Sequence, residues 1–411
     1  MITSEKDSIF KYAVRRSGSA VAYCALTIKC GTRYETDCPD GTAHFLEHTL
    51  FKGTEKKSAH TINNYLDRLG GELNAFTTKE EIVLHATVLK EDLLKAANLL
   101  FELATCPTFP KNEIDTEKGV VIDEINSYKD SPSEDIYDRF EELCFEGHPL
   151  SKLILGTAKS VRKMTSKSLR AYVDEMFIPE NMAFTVVADI DEKVMERKVL
   201  KLIEKYFPNI EEKKTISAKP VYFKPDMKRF DKTVNQRNHQ VNCIIGAPAP
   251  SIYEREGRFK AILLTNILGG PANNSLLNEI LREKNGWVYG VECSYNQYSD
   301  CGLITISLGC DKDNLEKCLD KIKLIIANLE SKPLSDRKLN EAKKQLLGQL
   351  AISYDNGEAL CLSMGKNLVT FGSIEESAVT RQEILDITAE QLQQAAREIF
   401  DKDKVSMLTY L

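Results

Sequence analysis

The chain has 411 residues, which is enough for two domains of about 200 residues each. Hydrophobic residues make up 42% and charged residues 28%, a globular composition that excludes a disordered or collagen-like chain. The formal net charge of −6 excludes a global electrostatic attraction to nucleic acids or acidic membranes, so we expect no nucleic-acid partner.

The first half of the chain alternates between strand and helix patterns. A β-branched, apolar stretch at residues 20–29 predicts a strand, and residues 42–51 predict a helix that Gly53 ends. The elements that follow are a helix at 61–69, strands at 73–77 and 82–88, helices at 90–104, 112–128 and 166–176, a strand at 182–188 and a helix at 191–206.

A charged segment, EEKKTISAKP at residues 211–220, predicts a linker between two domains. After it the order of elements repeats with an offset of about 218 to 224 residues. The sequence identity between the halves is weak, and any two α/β halves share some of this order. We nevertheless predict two homologous domains, at residues 1–212 and 221–411.

The segment HFLEH at residues 44–48 has the pattern HxxEH. Residues three and four apart share one face of a helix, so His44 and His48 can offer two imidazoles to one zinc ion. Glu47 projects near both and can take a proton from water. This pattern is the inverzincin signature, the inverted form of HExxH. Since the chain has only 6 histidines, the spacing favours a catalytic zinc site over a charged pair on a surface helix.

A catalytic zinc site needs a third protein ligand and an open fourth position. The helix predicted at 112–128 offers acidic candidates, which are Glu113, Asp115, Glu117, Asp123 and Glu124. Glu117 and Glu124 are seven residues apart, so two helical turns place them on one face, where one can bind the metal and the other can support a ligand. Taken alone, the same carboxylates are more typical of a solvated helix surface than of a metal site.

The motif HFLEHTLFKGT, followed 76 residues after His48 by Glu124 within EKGVVIDEINSYKDSP, closely resembles the pitrilysin/insulinase family of zinc metallopeptidases. The resemblance covers most of the chain. It implies that His44, His48 and Glu124 bind one Zn²⁺ per chain, that Glu47 is the general base and that Glu117 is a supporting carboxylate. It also implies an α+β fold in which each domain is a mostly antiparallel sheet packed with helices.

The strand that contains Asn74, Ala75, Phe76 and Thr77 resembles the family's edge strand near the metal. The resemblance implies that substrate binds there by β-strand addition, in which backbone hydrogen bonds hold an extended peptide with little demand on its sequence. The alternative is an ordinary strand and turn.

In the second half, the segments LGGP and REKNGWVYG resemble the family's C-terminal signature. The resemblance implies that Arg282 and Tyr289 reach the active site and donate hydrogen bonds to a developing oxyanion. A salt-bridged Arg and a core Tyr are the alternative.

The second half has lost the metal site. In the repeat alignment, His44, Glu47 and His48 correspond to Ile262, Thr265 and Asn266, and Glu124 corresponds approximately to Gly348. None of these replacements offers the required ligands. The long members of the family carry four such domains and this chain has two, so the resemblance implies a homodimer. Arg282 and Tyr289 of one subunit would then complete the zinc site of the other. A heterodimer with an inactive homologue is the alternative.

The sequence therefore predicts a zinc-dependent endopeptidase that hydrolyses extended oligopeptides or unfolded segments inside a dimer chamber. The alternative is a non-catalytic or processing-complex subunit that acts with a different partner chain. Relatives of that kind typically lose His or Glu from HxxEH, and this chain keeps them all.

The localisation follows from three features of the sequence. The 11 cysteines form no CxxC pair, which predicts reduced thiols. Residues 1–10 have no apolar core like that of a signal peptide, and no run of about 18 apolar residues is present. We expect a cytoplasmic protein without a membrane span, although an export signal removed earlier remains an alternative.

Overall fold

A computed structural model describes residues 1–208, 210, 223–236 and 240–411. The chain divides into two compact units. Unit 1 comprises residues 1–126, 152–220 and 352–375, and unit 2 comprises residues 127–151, 221–351 and 376–411. The linker predicted at 211–220 lies outside the described residues.

Two β-sheets form the framework of these units. The strands are β1 (Ile2–Thr3), β2 (Lys11–Arg16), β3 (Val21–Ile28), β4 (Glu72–Thr77), β5 (Ile82–Leu89), β6 (Met182–Ala188), β7 (Asp231–Val234), β8 (Val241–Ala249), β9 (Val288–Gln297), β10 (Gly302–Cys310) and β11 (Ser406–Tyr410). The strand order is β1-β2-β6-β3-β5-β4 in unit 1 and β7-β11-β8-β10-β9 in unit 2. All neighbouring strands are antiparallel except β2 and β6, and β7 and β11. The predicted α+β fold with mostly antiparallel sheets is confirmed.

Helices surround both sheets. They are α1 (Thr42–Leu50), α2 (Ala59–Asn63), α3 (Leu93–Thr105), α4 (Lys111–Lys129), α5 (Pro132–Cys144), α6 (Ala158–Val161), α7 (Ser166–Met176), α8 (Glu192–Tyr206), α9 (Arg255–Gly269), α10 (Leu315–Ser331), α11 (Asp336–Asp355), α12 (Gly357–Phe371), α13 (Ser377–Asp386) and α14 (Ala389–Ile399). A π-helical segment spans Asn278–Lys284. The helix predicted at 61–69 is shorter than expected, because α2 ends at Asn63 and only a 3₁₀ turn, Asp67–Leu69, follows.

The sheet of unit 1 is covered on both faces. On one face α3 packs against β3 and β5, and fully buried side chains such as Leu26, Leu84 and Phe101 form the core. On the other face α12 packs against β3 and β6. Gly365 allows this close approach, because a Cβ atom there would lie 2.2 Å from the Thr27 hydroxyl oxygen.

The sheet of unit 2 has the same arrangement. On one face α9 packs against β9 and α14 packs against β8, around buried residues such as Leu264 and Ile306. On the other face α5 packs against β8 and β11. Gly246 makes room for this helix, since a Cβ atom there would lie 2.6 Å from the Phe140 ring.

Each of the two helices that cover these second faces comes from the half of the sequence that forms the other unit. In sequence α5 follows α4 of the first half, but it belongs to unit 2, and α12 follows α11 of the second half, but it belongs to unit 1. The units therefore differ from the predicted domains 1–212 and 221–411 in these two segments. The physical reason is that the apolar side chains of each helix, such as Phe140 of α5, are buried on the sheet of the other half.

Among the described residues, no helix combines the length and the apolar composition that a membrane span requires. All eleven cysteines are free thiols, and only Cys38 and Cys106 are not fully buried.

Candidate metal centre

Helix α1 carries the HxxEH motif and is fixed at its N-terminus by a buried carboxyl group. Glu35, which is 1% exposed, accepts hydrogen bonds from the backbone N–H groups of Gly41 (2.9 Å) and Ala43 (2.8 Å). Burial raises the pKa of Glu35 to about 8, against the opposing effect of these two bonds. A carboxyl group at this position accepts hydrogen bonds from backbone donors that would otherwise have no partner in the helix. Glu35 therefore sets where α1 begins.

The apolar side of α1 determines which way the motif faces. Phe45, Leu46 and Leu50 are fully buried in the core of unit 1. Because a helix turns 100° per residue, this burial directs His44 and His48 to the opposite side, one turn apart. Their ring centroids are 4.7 Å apart.

The structure brings together the three residues that the sequence predicts as metal ligands. One possible ligand atom from each of His44, His48 and Glu124 lies within 4.8 Å of the others. His44 Nε2 is 3.8 Å from Glu124 Oε1, and His48 Nε2 is 3.5 Å from Glu124 Oε2. Ligands of a tetrahedral zinc ion with bonds of about 2.1 Å are roughly 3.4 Å apart. The two histidines approach different oxygens of Glu124, and one donor atom of each residue lies within 4.8 Å of the others, so this set of two imidazoles and a carboxylate fits a zinc ion with three protein ligands.

The second imidazole is held by a side chain from α4. The Glu117 carboxylate, which is 4% exposed, is 2.8 Å from His48 Nδ1 through Oε1, and Lys52 Nζ is 2.7 Å from its Oε2. A proton on Nδ1 donated to Glu117 leaves the Nε2 lone pair free to bind a metal. Burial alone would raise the pKa of Glu117, but the hydrogen bonds from His48 and Lys52 outweigh it and lower the pKa.

The protonation of the two histidines differs. Burial, with a smaller contribution from the charge of His48, lowers the pKa of His44 to about 3, so its imidazole is neutral at neutral pH. Burial also lowers the pKa of His48, but the hydrogen bond to Glu117 and the nearby carboxylates outweigh burial and raise it overall. A neutral imidazole is the form that binds metal. Unlike His48 Nδ1, the Nδ1 atom of His44 is buried without a hydrogen-bond partner among the described residues.

Glu47 lies beside the three candidate ligands and is bonded to the strand β4. The Thr77 hydroxyl donates a hydrogen bond to Glu47 Oε2 at 2.6 Å. Burial raises the pKa of Glu47, as does the Glu124 carboxylate, while the bond from Thr77 and the charge of His48 act in the opposite direction. A carboxylate with a raised pKa is suited to accept and return a proton near neutral pH.

Among the strands that the structure describes, β4 is an edge strand of unit 1. It pairs with β5 on one side and ends the strand order of its sheet. Its residues alternate, so Asn74 and Phe76 are exposed while Ala75 and Thr77 are partly buried on the face that carries the core. An unpaired edge leaves backbone donors and acceptors available to another extended chain.

Arg282 and Tyr289 lie in unit 2. Arg282 is exposed on the π-helical segment, lines a cavity of about 340 Å³ and has no side-chain hydrogen-bond or ion-pair partner in the described residues. Tyr289 is 62% exposed and donates a hydrogen bond to Asp311 at 2.8 Å. It lies at a β-bulge, because the pairing of β9 and β10 shifts register around it. Bulges commonly redirect a side chain next to a functional site.

Two residues of this centre were not predicted from the sequence. Lys52 lies four residues after His48, and this spacing was the available signal for its place near Glu117. Glu35 lies seven residues before α1, and no sequence pattern marks it as the residue that holds the helix start. The positions predicted to replace the metal site in the second half lie on α9 and α11, as the repeat requires.

The comparisons with known proteins agree with this geometry. A family model described as Insulinase (Peptidase family M16) matches residues 11–158, and one described as Peptidase M16 inactive domain matches residues 163–346. A Bacillus subtilis (strain 168) protein named uncharacterized zinc protease YmxG is 30% identical over 376 residues, which are 92% of this chain and 90% of that protein. A Rickettsia felis protein named uncharacterized zinc protease is 28% identical over 383 residues, 93% of this chain and 90% of its own.

Two solved structures share the fold. A protease from Helicobacter pylori matches with a TM-score of 0.88 and 20% identity, covering 100% of this chain and 98% of its own. A peptidase M16 inactive domain from Pseudomonas fluorescens matches with a TM-score of 0.88 and 18% identity, covering 100% and 97%. At these identities the likeness shows the fold alone. The family models and the relative that is 30% identical over nearly the whole chain show more: this chain belongs to the insulinase (M16) family of peptidases.

Proposed function

We propose that the protein is a zinc-dependent endopeptidase that hydrolyses peptide bonds in extended oligopeptides or unfolded segments. The observation that carries the proposal is the cluster of His44, His48 and Glu124 with Glu47 beside it and an open strand edge next to it. The names of the relatives, which are zinc proteases, support the same activity.

The proposed ligands of one Zn²⁺ per chain are His44, His48 and Glu124. A bound zinc ion supplies a Lewis acid that polarises the scissile carbonyl and lowers the pKa of water to about 7. Glu117 holds the His48 ring through its Nδ1 atom, and Lys52 holds Glu117 in turn.

Glu47 is the proposed general base. As water attacks the peptide carbonyl, a C–O bond forms and the Glu47 carboxylate accepts the proton that the water loses. When the C–N bond breaks, the same carboxyl group returns the proton to the leaving amine. Its partial burial raises its pKa, and a raised pKa favours both the acceptance and the return of the proton.

The proposed docking site is the free edge of β4, from Asn74 to Thr77. A peptide that pairs with this edge is held by its backbone, so the site selects extended conformation rather than a strict sequence. Compact folded proteins cannot present such a segment and should resist cleavage, whereas unfolded peptides should be cut.

We further propose a homodimer with a shared site. Arg282 and Tyr289 of one subunit would complete the centre around the zinc of the other, donating hydrogen bonds to the oxyanion. Arg282, which lines a cavity and has no side-chain partner among the described residues, and Tyr289, which is 62% exposed although its hydroxyl is bonded to Asp311, support a role beyond packing. A heterodimer with an inactive homologue is the alternative. The buried, free cysteines support a cytoplasmic location as part of this proposal.

A mixing experiment tests the shared site. Glu47→Gln and Tyr289→Phe subunits should each be nearly inactive alone. After subunit exchange they should regain activity, because one site of each mixed dimer has an intact Glu47 and a Tyr289 from its neighbour. No recovery despite demonstrated exchange contradicts the shared site and leaves the separate inactive partner as the better account.

Metal analysis with cleavage of a mixed peptide library tests the activity itself. We expect about one zinc per chain and cleavage that stops when a chelator removes the metal. A zinc-loaded protein that cuts no peptide would instead support the non-catalytic subunit.

A further inference from the structure

Thr77 joins the free strand edge to the candidate base. It is the last residue of β4, and its side chain is on the face of the sheet that carries the core. Its hydroxyl is 2.6 Å from Glu47 Oε2, a short bond of the kind formed between a hydroxyl and a carboxylate. No other hydrogen bond to the Glu47 carboxylate is formed by the described residues.

This bond restricts a carboxylate that would otherwise turn freely. The terminal torsion of a Glu side chain has broad, two-fold preferences, so helix α1 alone does not fix the plane of the group. The Thr77 hydroxyl holds Oε2 and thereby presents Oε1, the remaining oxygen, in one direction. A general base must have an oxygen within about 2.6–3.2 Å of the proton it takes, so this restriction bears directly on proton transfer.

We propose that Thr77 is a positioning residue that orients the Glu47 carboxylate, so that the strand which docks the peptide also aims the base. The inference rests on the proposed function of Glu47. A peptide that pairs with the outer edge of β4 contacts the backbone of the strand whose last residue, Thr77, holds Glu47 through its hydroxyl. Peptide docking and proton transfer are therefore coupled through Thr77.

Two substitutions of Thr77 separate this role from packing. Thr77→Val keeps the shape of the side chain and removes the hydroxyl, whereas Thr77→Ser keeps the hydroxyl and removes a methyl group. The matched control is Thr78→Val. The Thr78 hydroxyl oxygen accepts the backbone N–H groups of Glu80 and Glu81 at 3.2 Å and 3.0 Å and so stabilises the turn after β4 without touching Glu47.

The expected result is a loss in kcat. Thr77→Val should reduce kcat about 10- to 100-fold, which is part of the 10²–10⁴-fold that a positioned general base supplies, and should leave KM nearly unchanged. Thr77→Ser should restore most of kcat. Thr78→Val should lower thermal stability and keep kcat near that of the wild type, and zinc content should be the same in all variants because the ligands are untouched.

Two further measurements test the coupling. In a Glu47→Gln background, adding Thr77→Val should change the residual rate by no more than about twofold, because the group that Thr77 positions is no longer a base. The metal-free forms of wild type and Thr77→Val should bind a fluorescent unfolded peptide with equal Kd, since docking uses the backbone of β4.

The outcomes distinguish this inference from the function on which it rests. A zinc-loaded wild type without peptidase activity overturns the proposed function. An active wild type with unchanged kcat in Thr77→Val overturns the inference, as does an equal loss of kcat in Thr78→Val or a failure of Thr77→Ser to recover. A Thr77→Val variant that loses only peptide affinity assigns Thr77 to docking and also overturns the inference.

Discussion

Replacing Glu117 with Gln should weaken zinc binding although all three proposed ligands remain. Glu117 uses one oxygen for His48 Nδ1 at 2.8 Å and the other for Lys52 at 2.7 Å, and its side chain is almost fully buried. A Gln side chain has one acceptor and one donor group, so it can satisfy only one of these partners. In one orientation its amide N–H₂ faces the Lys52 ammonium, and in the other it faces the Nδ1–H of His48. In both cases a donor faces a donor and that hydrogen bond is lost.

The size of the effect follows from this loss. Partners that hold a metal-binding histidine are typically worth 10- to 100-fold in metal affinity. Because one of two charge-assisted bonds is lost in either orientation and Lys52 is left without its carboxylate, we expect the upper part of this range. A 30- to 100-fold increase in the zinc Kd corresponds to about 2–2.7 kcal/mol.

Competition with a chelator of known zinc affinity measures this change at neutral pH. The matched control is Asp115→Asn, which removes one negative charge from the same helix. Asp115 is 54% exposed and pairs at 3.1 Å with Lys118 on the surface, so its loss should leave the zinc Kd unchanged. A Glu117→Gln protein that binds zinc as tightly as the wild type refutes the proposed role of Glu117.

Three other predictions concern the ligands, the helix anchor and a turn. His48→Ala and Glu124→Gln should each lower zinc affinity further than Glu117→Gln in the same competition assay, because each removes a ligand. In the metal-free protein, the free energy of unfolding of the wild type relative to Glu35→Gln should fall as pH rises from about 4.5 to 8. A carboxyl group whose pKa is about 8 in the folded protein and near 4.5 in the unfolded chain stabilises the fold below pH 4.5, and this contribution is lost as the pH rises to 8. Urea titrations of both proteins measure it. A free energy of unfolding that rises with pH relative to Glu35→Gln would contradict the dominant role of burial. Gly41→Ala should lower the thermal midpoint more than Gly147→Ala. Both glycines have positive φ, but only at Gly41 would a Cβ atom lie 2.7 Å from a backbone oxygen. Equal decreases in the two thermal midpoints would show that the structure relaxes around the added Cβ atom.

The local part of the fold and of the site could be predicted from the sequence. The strand at 182–188 and the helices around the HxxEH motif follow from periodicity and end signals, which depend on neighbouring residues. The meeting of His44, His48 and Glu124 followed from helix geometry and from a family pattern with fixed spacing. The confirmed two-sheet fold rests on the same signals.

The rest depends on contacts between distant residues. No periodicity shows that α5 and α12 each cover the sheet of the other half, because a helix has the same amphipathic pattern whichever sheet buries it. The contact of Lys52 with Glu117, and the bonds from Glu35 to the start of α1, depend on how loops close in space. For Thr77 the sequence predicted a residue of the docking strand, while the structure shows that its side chain is bonded to Glu47.

The role of Glu47 as general base is tested by the Glu47→Gln variant, with zinc content and peptide hydrolysis measured on the same sample. An amide cannot accept the proton, and the ligands His44, His48 and Glu124 are unchanged. We expect about one zinc per chain, as in the wild type, with a rate at least about 10²-fold lower on an unfolded peptide. A variant that holds its zinc and cleaves the peptide at the wild-type rate would contradict the role of Glu47 as general base.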